Sequence, residues 1–212
     1  MDDTPLGLKP LRLKYAIDRI AAAILLPVVT PLMAAIAVAI RIDDGGSVFF
    51  RQTRVGRNGR LFRIWKFRTM VPDAWEIGRG YVPAGTSLVT RVGGFLRASS
   101  LDEVPQIFNI LKGEMSFVGP RPTLLTQVER YTPEQRARLL VKPGILGLAQ
   151  LHGRSSVPWS VRIEYDLEYV RRASLAFDLQ IIARSIPMVL RGSGVTLYED
   201  PSEVDDLPGT PR

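Results

Sequence analysis

The sequence predicts an α+β fold that is mostly helical, with one helix inserted in a membrane, a small β-hairpin and amphipathic helices at the membrane surface. Three observations predict it. Residues 20–40 contain no charged side chain. Asn58-Gly59 stands between two strand-like stretches, which is a strong hairpin signal. The second half of the chain carries apolar and basic residues at helical spacing, as amphipathic helices do.

The composition indicates a folded domain with an anionic partner. The 212 residues are enough for one domain, and 46% of them are hydrophobic against 23% charged, so the chain can bury a core. The absence of cysteine excludes disulfides and thiolate metal sites. The net charge of +7 favours a phospholipid, nucleotide or nucleic acid as partner.

The uncharged segment 20–40 is long enough to cross a bilayer, which takes about 20 apolar residues. Residues 1–19 before the segment are basic, and so are the residues from Arg41 onward. Because basic flanks favour the cytoplasmic side, a helix that crossed the bilayer would leave one of these flanks on the wrong side. Pro27 and Pro31 each remove a helix hydrogen bond, and the hydroxyl of Thr30 offers the freed backbone a partner. These features predict a re-entrant helix that breaks near Thr30 and Pro31. A kinked span and a buried helix of a soluble core are the alternatives.

Residues 41–197, after the apolar segment, form one predicted domain. Two strands, 47–55 and 60–69, flank the hairpin turn, and residues 72–86 are rich in Gly and Pro, as mobile loops are. Further predicted segments are helices at 88–97 and 101–111, an extended stretch at 114–122, a helix opened by Thr132, a loop at 142–156, and helices at 160–172 and 175–191. The acidic tail 198–212 is predicted to be disordered.

Asp102 and Glu103 are the densest pair of reactive groups, at the start of the helix predicted for 101–111. One interpretation is structural: Ser100 and Glu103 would form a capping box, and acids stabilise a helix N-terminus. The other is chemical: a helix N-terminus binds phosphate, which Asp102 could attack as a nucleophile. A divalent cation on the two carboxylates would offset their repulsion of the phosphate, and Arg97 and Arg121 could neutralise developing charge.

Several motifs in a fixed order resemble the monotopic phosphoglycosyl transferases, the bacterial sugar transferase family, in its small single-domain form. The resemblance runs from about Lys14 to Arg191. The motifs that carry it are Asp18, Thr30-Pro31, Val48-Phe49-Phe50-Arg51-Gln52-Thr53-Arg54-Val55-Gly56, Lys66-Phe67-Arg68-Thr69-Met70, Ser100-Leu101-Asp102-Glu103-Val104-Pro105-Gln106, Ser116-Phe117-Val118-Gly119-Pro120-Arg121-Pro122, Lys142-Pro143-Gly144 and Gly153-Arg154.

The resemblance implies an enzyme that transfers a sugar-1-phosphate from a UDP-sugar to polyprenyl (undecaprenyl) phosphate. It implies that Asp102 forms a covalent phosphosugar and releases UMP, and that Asp102 and Glu103 hold Mg²⁺ or Mn²⁺. Phosphate or nucleotide contacts would fall on Arg97, Arg121, Arg154, Lys66 and Arg68. The protein would sit on an anionic membrane, the bacterial inner membrane, with its active site on the cytoplasmic face and no nucleic acid as partner.

Two positions depart from the family pattern, since Thr30 replaces a serine and His152 an asparagine.

Two other functions compete with the transferase. A membrane-attached phosphohydrolase or phosphotransferase could use the same aspartate on another substrate, and a basic module could bind nucleic acid, although no nucleic-acid-binding motif is present. The sequence does not disclose the sugar, because epimer selectivity depends on one or two hydrogen bonds in a pocket.

Overall fold

The computed structural model describes residues 11–72, 74, 88–152, 157–190 and 205–207. Within these residues the fold is mostly helical with two small two-stranded sheets, so the predicted α+β class is confirmed. Most of the loop predicted at 72–86 and residues 191–197 lie outside the described part of the chain.

Helix α1, Arg12–Asp44, is one helix of 33 residues that continues through Pro27 and Pro31, where the sequence predicts an interruption. Each proline removes one backbone hydrogen bond, but the other helical hydrogen bonds and the packing of α1 hold the two halves in one helix. The hydroxyl of Thr30 donates to the carbonyl of Leu26 at 2.7 Å, four residues back. That carbonyl is not one that the prolines free, and a bond of this kind bends helices.

One side of α1 packs against the rest of the protein along its length. Ala22 is buried with Ile107 and Ile110, and Met33 and Ile40 contribute to a second core cluster with Phe67 and Leu96. The opposite side is apolar and exposed, and includes Ile20, Ile24, Val28, Leu32, Val38 and Ile42. In the described part of the chain, α1 is the one helix that is long and apolar enough to cross a membrane.

The predicted hairpin is confirmed. Strands β1, Phe49–Val55, and β2, Leu61–Phe67, pair antiparallel, with Val55 opposite Leu61 and Phe50 opposite Lys66. Asn58 and Gly59 have φ angles of 56° and 76°. Asparagine and glycine are the residues that adopt this left-handed conformation at least cost, which is why the Asn-Gly pair marks the turn.

The two short helices after the undescribed loop are confirmed, with different ends. Helix α2 spans Arg91–Ala98, and Thr90 caps it by accepting from the amide of Gly93 at 2.9 Å. The second predicted helix begins as a 3₁₀ segment, Leu101–Gln106, and becomes α-helical as α3, Ile107–Lys112, before Gly113 ends it in the left-handed conformation. Pro105 has no amide hydrogen to donate, which favours the irregular first half.

A second sheet joins two stretches that the sequence predicts as extended or loop. Strand β3, Ser116–Val118, pairs in parallel with β4, Gly144–Leu146, so part of the predicted loop 142–156 is a strand. Helix α5, Leu148–Leu151, occupies more of that loop, and the one-turn helix α4, Leu125–Val128, precedes both. The two strands can approach this closely because residue 144 is glycine. A side chain there would lie 2.1 Å from the amide nitrogen of Gly119.

The helices predicted in the second half are present. Thr132 and Gln135 cap each other reciprocally, at 3.0 and 3.3 Å, before a 3₁₀ helix, Gln135–Leu140. Helices α6, Trp159–Arg172, and α7, Leu175–Leu190, follow. Helix α6 buries one face, which carries Trp159, Ile163, Asp166 and Val170, in the core, whereas α7 leaves apolar side chains such as Leu179 exposed.

Three residues of the tail are packed, contrary to the disorder predicted for 198–212. Arg130 donates to both carboxylate oxygens of Asp205, at 2.8 and 2.9 Å. Asp206 accepts from the amide of Ser160 at 2.9 Å, and Leu207 is buried beside Trp159. The salt bridge, the cap and the apolar contact together compensate for the conformational entropy that is lost when this segment is ordered. The acidic composition of the tail does not indicate these contacts. The other tail residues lie outside the described residues.

Asp206→Ala is expected to lower the free energy of unfolding by about 1 kcal/mol, because it removes a side-chain cap from the start of α6. Thermal or denaturant unfolding of the purified protein measures this. Glu164→Ala, on an exposed face of the same helix, is the control and should change the stability much less. Equal effects of the two changes would contradict the packed position of the tail.

Candidate active site

Glu103 lies between two cations from distant parts of the chain. The ammonium of Lys66, at the end of β2, is 2.7 Å from Oε1 of Glu103, and Nη2 of Arg121 is 2.9 Å from the same oxygen. Burial acts to raise the pKa of Glu103, but the positive charges of Arg121 and Lys66 outweigh it and lower the pKa to about 2. Glu103 is therefore a carboxylate at neutral pH.

Asp102 is the less constrained member of the pair. It is 9% exposed, and among the described residues Lys66 is the cation that pairs with it, at 3.5 Å from Oδ2. Burial raises the pKa of Asp102, and the negative charge of Glu103 adds to this, while Lys66, Arg121 and Arg97 act to lower it. The two adjacent carboxylates thus have different environments: Glu103 is held by two strong contacts, and Asp102 by a longer one.

The capping-box interpretation of this pair is wrong. Ser100 has a left-handed backbone with φ of 57°, and its side chain accepts no capping hydrogen bond. The Glu103 carboxylate is bound to Lys66 and Arg121 rather than to the backbone of residue 100. Local helix capping therefore does not explain why two buried acids are adjacent here.

Arg97 is placed on the same side by the packing of α2. A side chain on Gly93 would lie 2.1 Å from the carbonyl oxygen of Thr69, so glycine is needed for α2 to approach this strand end. Nε of Arg97 then donates to the hydroxyl of Thr69 at 2.9 Å. This contact orients the guanidinium close enough to lower the pKa of Asp102.

The Pro-Arg-Pro turn that carries Arg121 is fixed by backbone hydrogen bonds on both sides. Pro120 accepts from the amide of Gly144 at 3.0 Å, and Thr123 accepts from the amide of Val55 at 2.9 Å. The carbonyl of Arg121 itself accepts from the Arg138 guanidinium at 3.0 Å. The side chain of Arg121 extends from this rigid turn to Glu103 and remains 46% exposed.

Arg138 was not predicted from the sequence. It is buried, forms an ion pair with Asp166 of α6, and donates to the hydroxyl of Tyr131 at 2.6 Å. The positive charge of Arg138 opposes the rise that burial causes in the pKa of Asp166. Nothing in the local pattern around position 138 signals this role, because every partner comes from another element.

Not every predicted site residue joins this cluster. Arg68 donates to Asp44 and to the carbonyl of Ser47, at the far end of α1, so the structure places it in a structural ion pair rather than at the dyad. Arg154 lies outside the described residues. Thr30 and Pro31 lie in the middle of α1. Among the described residues, the site therefore consists of Lys66, Arg97, Asp102, Glu103 and Arg121.

The residues present fit a divalent cation that is shared with a substrate. Both cations bind Oε1 of Glu103, which leaves Oε2 and the Asp102 carboxylate as oxygen donors. No group of three or more acidic, His or Cys side chains suitable for a metal occurs among the described residues. Two carboxylates suit Mg²⁺, which usually takes one or two from the protein and the rest of its ligands from water and substrate phosphates.

Comparison with known proteins supports the resemblance seen in the motifs. The family model described as "Bacterial sugar transferase" matches residues 10–192. The exopolysaccharide production protein ExoY of Rhizobium meliloti (strain 1021) is 39% identical over 196 residues, which cover 85% of this chain and 87% of that protein.

Two longer relatives carry more specific names. The UDP-N-acetylgalactosamine-undecaprenyl-phosphate N-acetylgalactosaminephosphotransferase of Aeromonas hydrophila is 41% identical over 86% of this chain and 44% of its own length. The UDP-glucose:undecaprenyl-phosphate glucose-1-phosphate transferase of Xanthomonas campestris pv. campestris is 46% identical over 82% of this chain and 38% of its own length. This chain thus spans less than half of each. With the family model matched over most of its length, the chain belongs to the bacterial sugar transferase family.

Proposed function

We propose that the protein transfers a sugar-1-phosphate from a UDP-sugar to polyprenyl (undecaprenyl) phosphate, as the first membrane step of polysaccharide or glycoconjugate synthesis. The observation that carries the proposal is the buried Asp102 beside a Glu103 already neutralised by Lys66 and Arg121. The names of the Aeromonas and Xanthomonas relatives support the two substrates.

The proposed reaction has two displacements at one phosphorus atom. A carboxylate oxygen of Asp102 attacks the β-phosphorus of the UDP-sugar, and the bond from that phosphorus to the bridging oxygen breaks, so that UMP leaves with the oxygen. An oxygen of polyprenyl phosphate then attacks the same phosphorus. The bond to Asp102 breaks, the carboxylate is restored, and the product is a polyprenyl diphosphosugar.

The division between the two acids suits these steps. Attack requires an ionised carboxylate that is free to move, and Asp102 has the longer and weaker contact. Glu103 holds Lys66 and Arg121 in the site, where their positive charges can pass to the incoming phosphates. Arg97 adds a third cation near Asp102. Fixed cations of this kind stabilise charge that develops on the transferred group.

We propose Mg²⁺ as the cofactor, held by Asp102 and Glu103 together with phosphate oxygens of the substrate. When bound, the cation would neutralise part of the diphosphate charge and reduce its repulsion by the two carboxylates. The side chains of Lys66, Arg97 and Arg121 supply the remaining positive charge from the protein.

We further propose that α1 enters and leaves the membrane through the same leaflet, as a continuous helix that bends near Thr30 and Pro31 rather than breaking there. Lys14 and Asp18, at its beginning, form buried contacts with Ser116 and Asp178, while Asp43, at its end, accepts from the amide of Val92. Both ends are thus attached to the same domain. A helix that crossed the bilayer would carry one end away from that domain, and these contacts would be lost.

Single cysteines placed outside segment 20–40 should report this topology, because the chain has no cysteine of its own. Ala16→Cys and Ile42→Cys, both at exposed positions, are expected to react with an impermeant maleimide from the same, cytoplasmic side of sealed vesicles. Val28→Cys, 70% exposed on α1, is the control and should be protected by lipid. Labelling of positions 16 and 42 from opposite sides would overturn the re-entrant arrangement.

The activity itself is tested with a panel of UDP-sugars, in the presence and absence of undecaprenyl phosphate. UMP release together with a lipid-linked sugar diphosphate supports the proposal and identifies the sugar. Release of sugar phosphate into water without a lipid product would instead indicate a phosphohydrolase. Release of UDP would contradict attack at the β-phosphorus.

A further inference from the structure

Three cations from distant parts of the chain lie close together at the beginning of α1. Nζ of Lys142 is 4.3 Å from the centre of the Tyr15 ring, and the guanidinium carbon of Arg57 is 5.7 Å from it. Arg19 and Lys142 both lie next to Gly113. A side-chain carbon added to that glycine would be 3.5 Å from the Lys142 ammonium and 3.9 Å from Cδ of Arg19. We call Arg19, Arg57 and Lys142 the basic cluster.

The basic cluster is oriented but not neutralised. Nε of Arg19 donates to the carbonyl of Leu111 at 3.0 Å, and Nε of Arg57 donates to the carbonyl of Leu140 at 2.9 Å. These bonds fix both guanidinium groups and use only one donor of each. Within the described residues, no carboxylate lies within 4.0 Å of a nitrogen of the cluster.

The electrostatics indicate that an anion would be favoured here. Partial burial lowers the pKa of Lys142, and the neighbouring charges of Arg19, Arg57 and Lys14 lower it further, against an opposing effect of Asp18. Lys14 is already paired with Asp18 and Asp178. Asp18 and Asp178 together carry one negative charge more than Lys14 neutralises, which offsets the repulsion among the three cations of the basic cluster only in part, and a bound anion would relieve the rest.

We propose that the basic cluster binds the phosphate of an anionic phospholipid headgroup. Arg19 is the last charged residue before the apolar segment of α1, whose Ile20 and Ile24 side chains are 61% and 66% exposed. The cluster therefore stands where α1 would meet the membrane surface, and Arg and Lys at that level bind anionic headgroups. This inference rests on the proposed membrane position of α1.

The basic cluster lies at the opposite end of the hairpin from the site where the phosphates would react. Arg57 is at the hairpin tip, whereas Lys66, which contacts the dyad, is at the other end of β2. The seven residues from Arg60 to Lys66 span about 20 Å in an extended strand. A phosphate held by the basic cluster is therefore not the one that Asp102 would attack, which favours a structural phospholipid over the polyprenyl phosphate acceptor.

Native mass spectrometry of the full chain in a neutral detergent tests the proposal, with phosphatidylglycerol, phosphatidylcholine and inorganic phosphate as separate probes. The combined variant Arg19→Gln, Arg57→Gln and Lys142→Gln should weaken phosphatidylglycerol binding about a hundredfold, since each basic contact near the surface contributes about fivefold. The matched control Arg63→Gln, Arg136→Gln and Arg171→Gln removes three exposed arginines outside the hairpin turn of Arg57 and should leave phosphatidylglycerol binding at the basic cluster unchanged.

Unchanged affinity in the cluster variant overturns the proposal, and so does wild-type binding of phosphatidylcholine or inorganic phosphate that is as tight as that of phosphatidylglycerol. Should the combined variant fail to fold, Arg57→Gln alone, at the exposed hairpin tip, is expected to weaken binding about fivefold. The Asp102→Asn variant should bind phosphatidylglycerol normally. Because lipid binding is measured without UDP-sugar, its failure and the failure of the proposed activity are distinguishable.

Discussion

Asp102→Asn is expected to abolish UMP release from every UDP-sugar while leaving the protein folded and in the membrane. The amide keeps the size of the side chain but lacks the nucleophilic oxygen, and the loss of an enzyme's nucleophile lowers turnover on the order of 10⁶-fold. The fold should persist because the one cation paired with Asp102 among the described residues, Lys66, keeps its 2.7 Å contact with Glu103. UMP release, measured with undecaprenyl phosphate present, is the readout.

The covalent intermediate gives this prediction a second, independent measurement. Wild-type protein supplied with its UDP-sugar and no lipid acceptor should accumulate a sugar-phosphate adduct, visible by intact mass and located on the peptide that contains Asp102. Glu164→Gln removes a carboxylate from the exposed face of α6 and should retain both turnover and adduct. Near-normal turnover of Asp102→Asn, or an adduct on Glu103, would show that the other carboxylate is the nucleophile.

Arg121→Ala is expected to lower the rate about a hundredfold, the effect of removing one charge-assisted contact to a transferring group. The side chain reaches Glu103 at 2.9 Å and is still 46% exposed, so a substrate phosphate can approach the same guanidinium. The turn itself is held by backbone bonds and by Arg138, which the substitution leaves in place. Initial rates of UMP release measure the loss.

Arg60→Ala provides the matched control, since it removes an exposed arginine near the hairpin tip. Its rate should stay close to that of the wild type. The Arg121→Ala protein should also unfold at nearly the wild-type temperature, because a half-exposed ion pair contributes little to stability. Equal and mild effects of the two substitutions on the rate would indicate that Arg121 serves the fold alone.

The sequence alone determined the elements whose signals are local. Asn58-Gly59 predicted the hairpin because few other residues adopt its left-handed turn, and Thr132 with Gln135 predicted a helix start because their two side chains cap each other. The family followed from motifs read in order, and the family model confirms it. The same local reasoning placed a capping box at Ser100 that does not form, and loops where β4 and α5 lie.

Only the tertiary structure decided which charges meet. Lys66 and Arg68 are two residues apart in one motif, yet Lys66 binds Glu103 and Arg68 binds Asp44. Arg138 contacts the carbonyl of Arg121, and Arg57 and Lys142 of the basic cluster meet at the ring of Tyr15. The tail is ordered at Asp205 because Arg130 lies opposite it. These pairings join residues far apart in the chain, so they depend on how the elements pack, and no local periodicity or turn signal encodes that.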